Sequence, residues 1–82
     1  MKMITVYALK SLKRNRIYVG LTRDLNLRVK AHNSGLVFST KGYRPWQLFH
    51  TENFKTMVEA RTREKQLKSG YGKEFLKSII PA

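Results

Sequence analysis

The sequence predicts a single α+β domain, residues 1–82, with a small three-stranded, mostly antiparallel sheet flanked by helices in the order ββαβαα. Three observations predict it. The runs around Thr5-Val6-Tyr7 and Tyr18-Val19-Gly20 alternate with a period of two and stand one short polar segment apart, as in a hairpin. Two later stretches, opening near Asp24 and Thr56, place helix-capping residues ahead of a helical apolar period. Finally, 82 residues without repeats, linkers or low-complexity tracts leave room for one thin core.

Met3 to Leu9 is the first strand, with Ile4, Val6 and Ala8 on one side. Lys10 to Asn15 is polar and reads as a turn. Arg16 to Leu21 is the second strand, with Ile17, Val19 and Leu21 on one side and Tyr18 and Gly20 on the other. A hairpin symmetric about Leu12–Lys13 sets Tyr7 directly across from Tyr18, so that the rings share one face; a bulge would make them diagonal. Thr22 or Asp24 caps a helix running to about Asn33, and Gly35 is its stop. Leu36 to Pro45 is a loop, and Trp46 to Glu52 a third strand. Thr56-Met57-Val58-Glu59 is a capping box for a helix running to about Lys68. Gly72 to Ile80 forms a last short helix, stopped by Pro81.

Charge narrows the partners. The 17 Lys and Arg outnumber 5 Asp and Glu, for a net charge of +12. Such density on a small body points to a polyanion, nucleic acid first and an anionic membrane surface second. No basic amphipathic helix with aromatic anchors supports the membrane. No apolar run approaches the ~20 residues that cross a bilayer, and Met1-Lys2-Met3-Ile4 has no apolar leader character. The absence of cysteine excludes disulfides, thiol nucleophiles and zinc–cysteine sites, and fits a reducing cytoplasm.

Several polar residues fall where a core prefers apolar ones. On the first helix, Leu27 and Ala31 mark one flank of the apolar arc and Leu25 and Val29 the other. Arg28 and His32 lie between them, one turn apart, while Asn26, Lys30 and Asn33 face water. On the second, Met57, Ala60 and Leu67 define the inner face; Glu64 falls among them, with Arg61 and Lys68 beside it. An inward Glu64 is either half of an internal ion pair, with Arg28 or Arg61, or a functional acid. Taken alone, His32 is more often a hydrogen-bonded core histidine, and the tyrosines are more often sheet packing. Together these residues supply the parts for phosphodiester cleavage. A carboxylate can hold Mg²⁺, an arginine can clamp a phosphate, and a tyrosine or histidine can orient or deprotonate water.

The pattern resembles the GIY-YIG nuclease superfamily over nearly the whole chain. Thr5-Val6-Tyr7 stands for the first tripeptide and Tyr18-Val19-Gly20 for the second. The stretches Leu27 to Gly35, Ser39 to Gly42 and Glu59 to Lys68 follow in order. The chain is most similar to small single-domain bacterial members. The resemblance implies that Tyr7 is the general base or water-positioner and that Tyr18 helps position water and phosphate. It implies that Arg28 contacts phosphate and that His32 is an auxiliary acid/base or phosphate ligand. Glu64 matches the metal glutamate, with Mg²⁺ or Mn²⁺ as the cofactor and no small-molecule cofactor. Glu59 is a competing acid better explained by the capping box. Two departures stand out: Thr5 replaces the first glycine, and Ser69 to Ala82 contains no asparagine, where many active relatives have one.

Lys41 and Arg44 are candidate phosphate contacts and Tyr43 a candidate base-stacking ring, while Trp46 beside them reads as a core anchor. Lys68, Lys73 and Lys77 form a second cationic track. The expectation is a metal-dependent DNA endonuclease, with structure-selective action in repair or recombination as its narrower form and RNA as a second partner. The alternative is a non-catalytic nucleic-acid-binding module with the same fold, and a third reading is a protein-interaction adaptor.

Overall fold

A computed structural model describes residues 3–81. Met1, Lys2 and Ala82, and with them the reading of the first residues and the outer limits of the 1–82 domain, lie outside the described residues. The elements run in the expected order: β1 (Ile4–Ser11), β2 (Ile17–Thr22), α1 (Leu25–Ser34), β3 (Trp46–Phe54), α2 (Met57–Lys68) and α3 (Gly70–Ile79), with a 3-10 turn at Lys41–Tyr43 before β3. The sheet order is β2-β1-β3 and both pairings are antiparallel.

Alternation along β1 gives the sheet two buried faces. Ile4, Val6 and Ala8 point to one side, where they pack with Val19 of β2, Ala60 and Leu67 of α2 and Leu76 of α3. Tyr7 and Leu9 point to the other, where Trp46 joins them and Leu25 and Val29 of α1 close over the top. The domain is therefore three layers: α1, the sheet, then α2 with α3. A sheet covered on both sides explains why β1 is buried nearly throughout.

The caps act as the sequence indicates. Asp24 accepts from the Leu27 amide at 3.1 Å to open α1, and Gly35, at φ +84°, closes it in the left-handed region that glycine tolerates best. Thr56 accepts from the Glu59 amide at 3.2 Å and donates to the Glu59 carboxylate at 2.8 Å. Ser69 accepts from the Gly72 amide at 3.2 Å, so α3 begins two residues earlier than the sequence suggests.

The hairpin register differs from the symmetric expectation. Tyr7 pairs with Gly20 and Leu9 with Tyr18, so the tyrosines are diagonal neighbours on one face. The cause is the turn. The Ser11 hydroxyl accepts from the Lys13 and Arg14 amides at 3.2 and 3.0 Å, and the Ser11 amide donates to the Arg16 carbonyl at 3.0 Å. These bonds draw Lys10 and Ser11 into the strand and move the turn toward Lys13–Arg14.

Candidate active site

The diagonal register brings the two phenol rings together over a glycine. Their centroids are 6.1 Å apart. A Cβ on Gly20 would stand 2.7 Å from the Tyr7 hydroxyl and 3.0 Å from the Tyr18 ring, so a side chain there would push the rings out of place. Above them lies His32, fully buried on α1, with its ring 4.7 Å from Tyr18 and 5.9 Å from Tyr7.

A chain of hydrogen bonds fixes the protons. His32 Nε2 is 2.9 Å from the Tyr7 hydroxyl, and His32 Nδ1 is 2.9 Å from Thr40 Oγ1. The Thr40 hydroxyl donates to the Val37 carbonyl at 3.3 Å, which leaves its oxygen to accept from Nδ1. A neutral imidazole protonated at Nδ1 then accepts the Tyr7 proton at Nε2. Burial, aided by the nearby Arg28 charge, lowers the His32 pKa and favours that neutral form.

Burial also pushes the Tyr7 pKa up to about 12, against the pull of Arg28. Tyr7 is thus a neutral phenol at physiological pH. Arg28, half-buried one turn before His32, keeps its charge more firmly through its interaction with the Tyr7 and Tyr18 phenols. Tyr7, Tyr18, Arg28 and His32 therefore form one cluster between the sheet and α1.

Glu64 stands elsewhere. It lies on α2, in the opposite layer, with its side chain 18% exposed. Its ion-pair partner among the described residues is Lys68 at 3.3 Å, rather than Arg28 or Arg61. The helical period turns Arg63 toward β3, where it meets Glu52, and so turns Glu64 and Lys68 to the other flank, toward β2. Among the described residues no group of three His, Asp or Glu gathers as a metal cage. A half-buried carboxylate with one flexible partner still fits a hard cation that takes its other ligands from phosphate and water.

A groove of about 780 Å³ wraps around the β2 edge and joins the two layers. Tyr18 and Tyr43 line it from the α1 side, Arg16 from the hairpin, and Lys68, Lys73 and Lys77 from α2 and α3. Tyr43 is half-buried against Trp46, and the guanidinium groups of Arg16 and Arg14 lie 5.0 and 6.0 Å from its ring. Its ring therefore carries arginines. Lys41 is exposed, and Arg44 folds back to donate to the Lys41 carbonyl at 2.7 Å.

Two features of α1 differ from the helical-wheel reading. Leu27 is 65% exposed and outside the apolar arc. Asn33 does more than face water: its amide group pairs with the backbone of Trp46, accepting at 2.6 Å and donating at 3.1 Å, and so ties α1 to β3. The wheel also overlooked Thr40, since it lies in the loop beyond the Gly35 stop, where a helical period no longer applies. Arg16, read as a strand start, left no separate signal.

Comparison with known proteins agrees with this fold. The GIY-YIG catalytic domain matches residues 3–77. The chain belongs to the GIY-YIG family. A UPF0213 protein of Bacillus velezensis is 42% identical over 55 residues, covering 66% of this chain and 56% of that protein. One of Haloquadratum walsbyi is 43% identical over 54 residues, covering 65% and 61%. This GIY-YIG chain thus spans less than two thirds of the length of either relative. A UPF0213 protein of Staphylococcus haemolyticus is 36% identical over 75 residues, covering 90% of both chains. No helix among the described residues is long and apolar enough to cross a membrane.

Proposed function

We propose that this chain is a metal-dependent DNA endonuclease that cuts branched or otherwise irregular DNA, in the manner of a repair or recombination enzyme, in a reducing cytoplasm. The observation that carries the reading is the buried Tyr7–His32–Thr40 hydrogen-bond chain, set beside Arg28 and Tyr18. The phenol can hand its proton to the basic nitrogen of a neutral imidazole, and the guanidinium beside it can hold a phosphate.

In this reading Arg28 holds a phosphate oxygen and offsets the charge that grows on it in the transition state. Tyr18 and Tyr7 orient the attacking water. Its proton passes to the Tyr7 oxygen as the Tyr7 proton passes to His32 Nε2. The water oxygen bonds to phosphorus, and the bond from phosphorus to one sugar oxygen breaks with its electron pair going to that oxygen. The sugar oxygen takes a proton from solvent and leaves as a hydroxyl, and His32 then gives up the proton it received. A phenol with a pKa of about 12 is a poor base alone, so the handover to His32 spares the enzyme a free phenolate. Glu64 would hold Mg²⁺ or Mn²⁺, which supplies charge stabilisation and a more acidic water when bound. Lys68, Lys73, Arg16 and Lys77 carry the strand along the groove, and Lys41 and Arg44 add charge on the α1 side.

The test is nicking of plasmid, nicked and branched DNA with and without Mg²⁺, wild type beside Glu64→Ala. Nicking that vanishes in Glu64→Ala, while its circular dichroism matches wild type, supports the mechanism. Equal nicking by the two proteins removes Glu64 from it. The pairing of Glu64 with Lys68, and the lack among the described residues of three gathered His, Asp or Glu, favour a second reading, a binding module without catalysis. That reading expects salt-sensitive binding by wild type and no metal-dependent cut in any of these DNAs.

A further inference from the structure

The loop after α1 holds an apolar ring in water. Phe38 is 84% exposed and Leu36 81%. Thr40, two residues on, is 2% exposed and bonded to His32, and its carbonyl accepts from Trp46 Nε1 at 3.0 Å. The turn is internally braced. The Leu36 amide donates to the Ala31 carbonyl at 3.1 Å, and the Thr40 and Lys41 amides both donate to the Val37 carbonyl, at 3.2 and 3.1 Å. A ring presented so firmly, with no apolar neighbour to cover it, is built to meet something.

The surroundings say what. Between Asp24 and Glu52 the chain has no carboxylate. The Lys41 ammonium stands 5.1 Å from the Phe38 ring centre. Trp46 is buried and Tyr43 is half-buried with arginines over its ring, which leaves Phe38, among the described residues, as the fully exposed aromatic of this layer. Its Cα is within about 7.6 Å of the Thr40 Cα at ~3.8 Å per residue, and so a short step from the Tyr7–Arg28 cluster.

We propose that the Leu36–Phe38 turn is a base-stacking site, which takes one unpaired base of a DNA strand whose neighbouring phosphate lies at the Tyr7, Tyr18 and Arg28 cluster. Paired bases present no free face to Phe38, so the site selects bulges, gaps and branch points. The inference rests on the nucleic-acid reading above and gives its substrate class a physical cause. Lys41 balances the strand charge beside the stacked base, and Leu36 packs against the sugar.

Anisotropy titrations in EDTA separate this from phosphate binding. The probes are a duplex with one unpaired adenosine and the same duplex with an abasic nucleotide at that position. The proteins are wild type, Phe38→Ala and Phe38→Trp. Removing the base weakens wild type and Phe38→Trp about tenfold, as expected of one base–aromatic stack, and leaves Phe38→Ala indifferent. An equal loss in wild type and Phe38→Ala overturns the proposal. So does an absence of base dependence combined with Phe38-dependent binding to phosphatidylserine vesicles, which would make the turn a lipid anchor. Mg²⁺ added to the same DNAs reads nicking separately. Base coupling without nicking upholds the stacking site and removes the endonuclease reading, whereas failure of wild type to bind either DNA overturns both.

Discussion

Tyr7 and His32 depend on each other for burial. The Tyr7 hydroxyl bonds to a fully buried imidazole, and removing it leaves His32 Nε2 without its partner. Tyr7→Phe is expected to cost about 1–3 kcal/mol in urea unfolding and to slow nicking by about 10²-fold or more. Alkaline pH provides a cleaner signature. The Tyr7 pKa is raised from 10.0 to about 12 in the fold, so between those values the native state keeps a proton that the unfolded chain has lost. Stability from this group is complete below pH 10 and falls as pH rises toward 12. Wild type should lose roughly 2–3 kcal/mol more than Tyr7→Phe across that window. Denaturation curves that fall in parallel from pH 10 to 12 would contradict it. Arg28 and His32 were legible because each interrupts the apolar arc of α1, and Tyr7 and Tyr18 because they share one face of a hairpin. Thr40 was not, because its function comes from a tertiary bond that no local period encodes.

Among the elements, β3 and α2 are joined by charge as well as by packing. Arg63 donates to both oxygens of Glu52, at 2.8 and 3.1 Å, and His50 stands 2.6 Å from the same carboxylate. Burial works against the Glu52 charge, but the bonds from Arg63 and His50 outweigh it and hold its pKa below the usual value. The stability this brings is present above the ordinary carboxylate range and is lost as pH falls through the lowered pKa. Arg63→Ala is expected to cost about 1–3 kcal/mol in urea unfolding at neutral pH, with a smaller penalty in acid. A penalty that does not change with pH would contradict the pairing. The sequence revealed the helices through their caps, which act within four residues. It missed the end of β1 because Ser11 closes a turn with its hydroxyl, and the polar run from Lys10 looked like loop from the start. It placed Arg61 beside Glu64 and overlooked Arg63, whose partner Glu52 sits at the far end of a long strand.

At the scale of the whole molecule, a net charge of +12 is gathered partly around one groove, which Arg16, Lys68, Lys73 and Lys77 line. Binding that rests on released counterions weakens linearly in log–log plots against salt. Lys73→Ala and Lys77→Ala should each reduce that slope by about one and weaken all DNA sequences alike. A slope that does not change on filter binding would place the strand elsewhere. The sheet order β2-β1-β3 has a last consequence, for synthesis. The strand made first is the one in the middle. When β2 folds back on it, the other side of β1 keeps its amides and carbonyls open until Phe54 has been added and Ile4 finds its partner. Over that interval the half-finished chain offers a bare apolar edge to its neighbours, and fast pairing of β3 is its defence against sticking to another nascent copy.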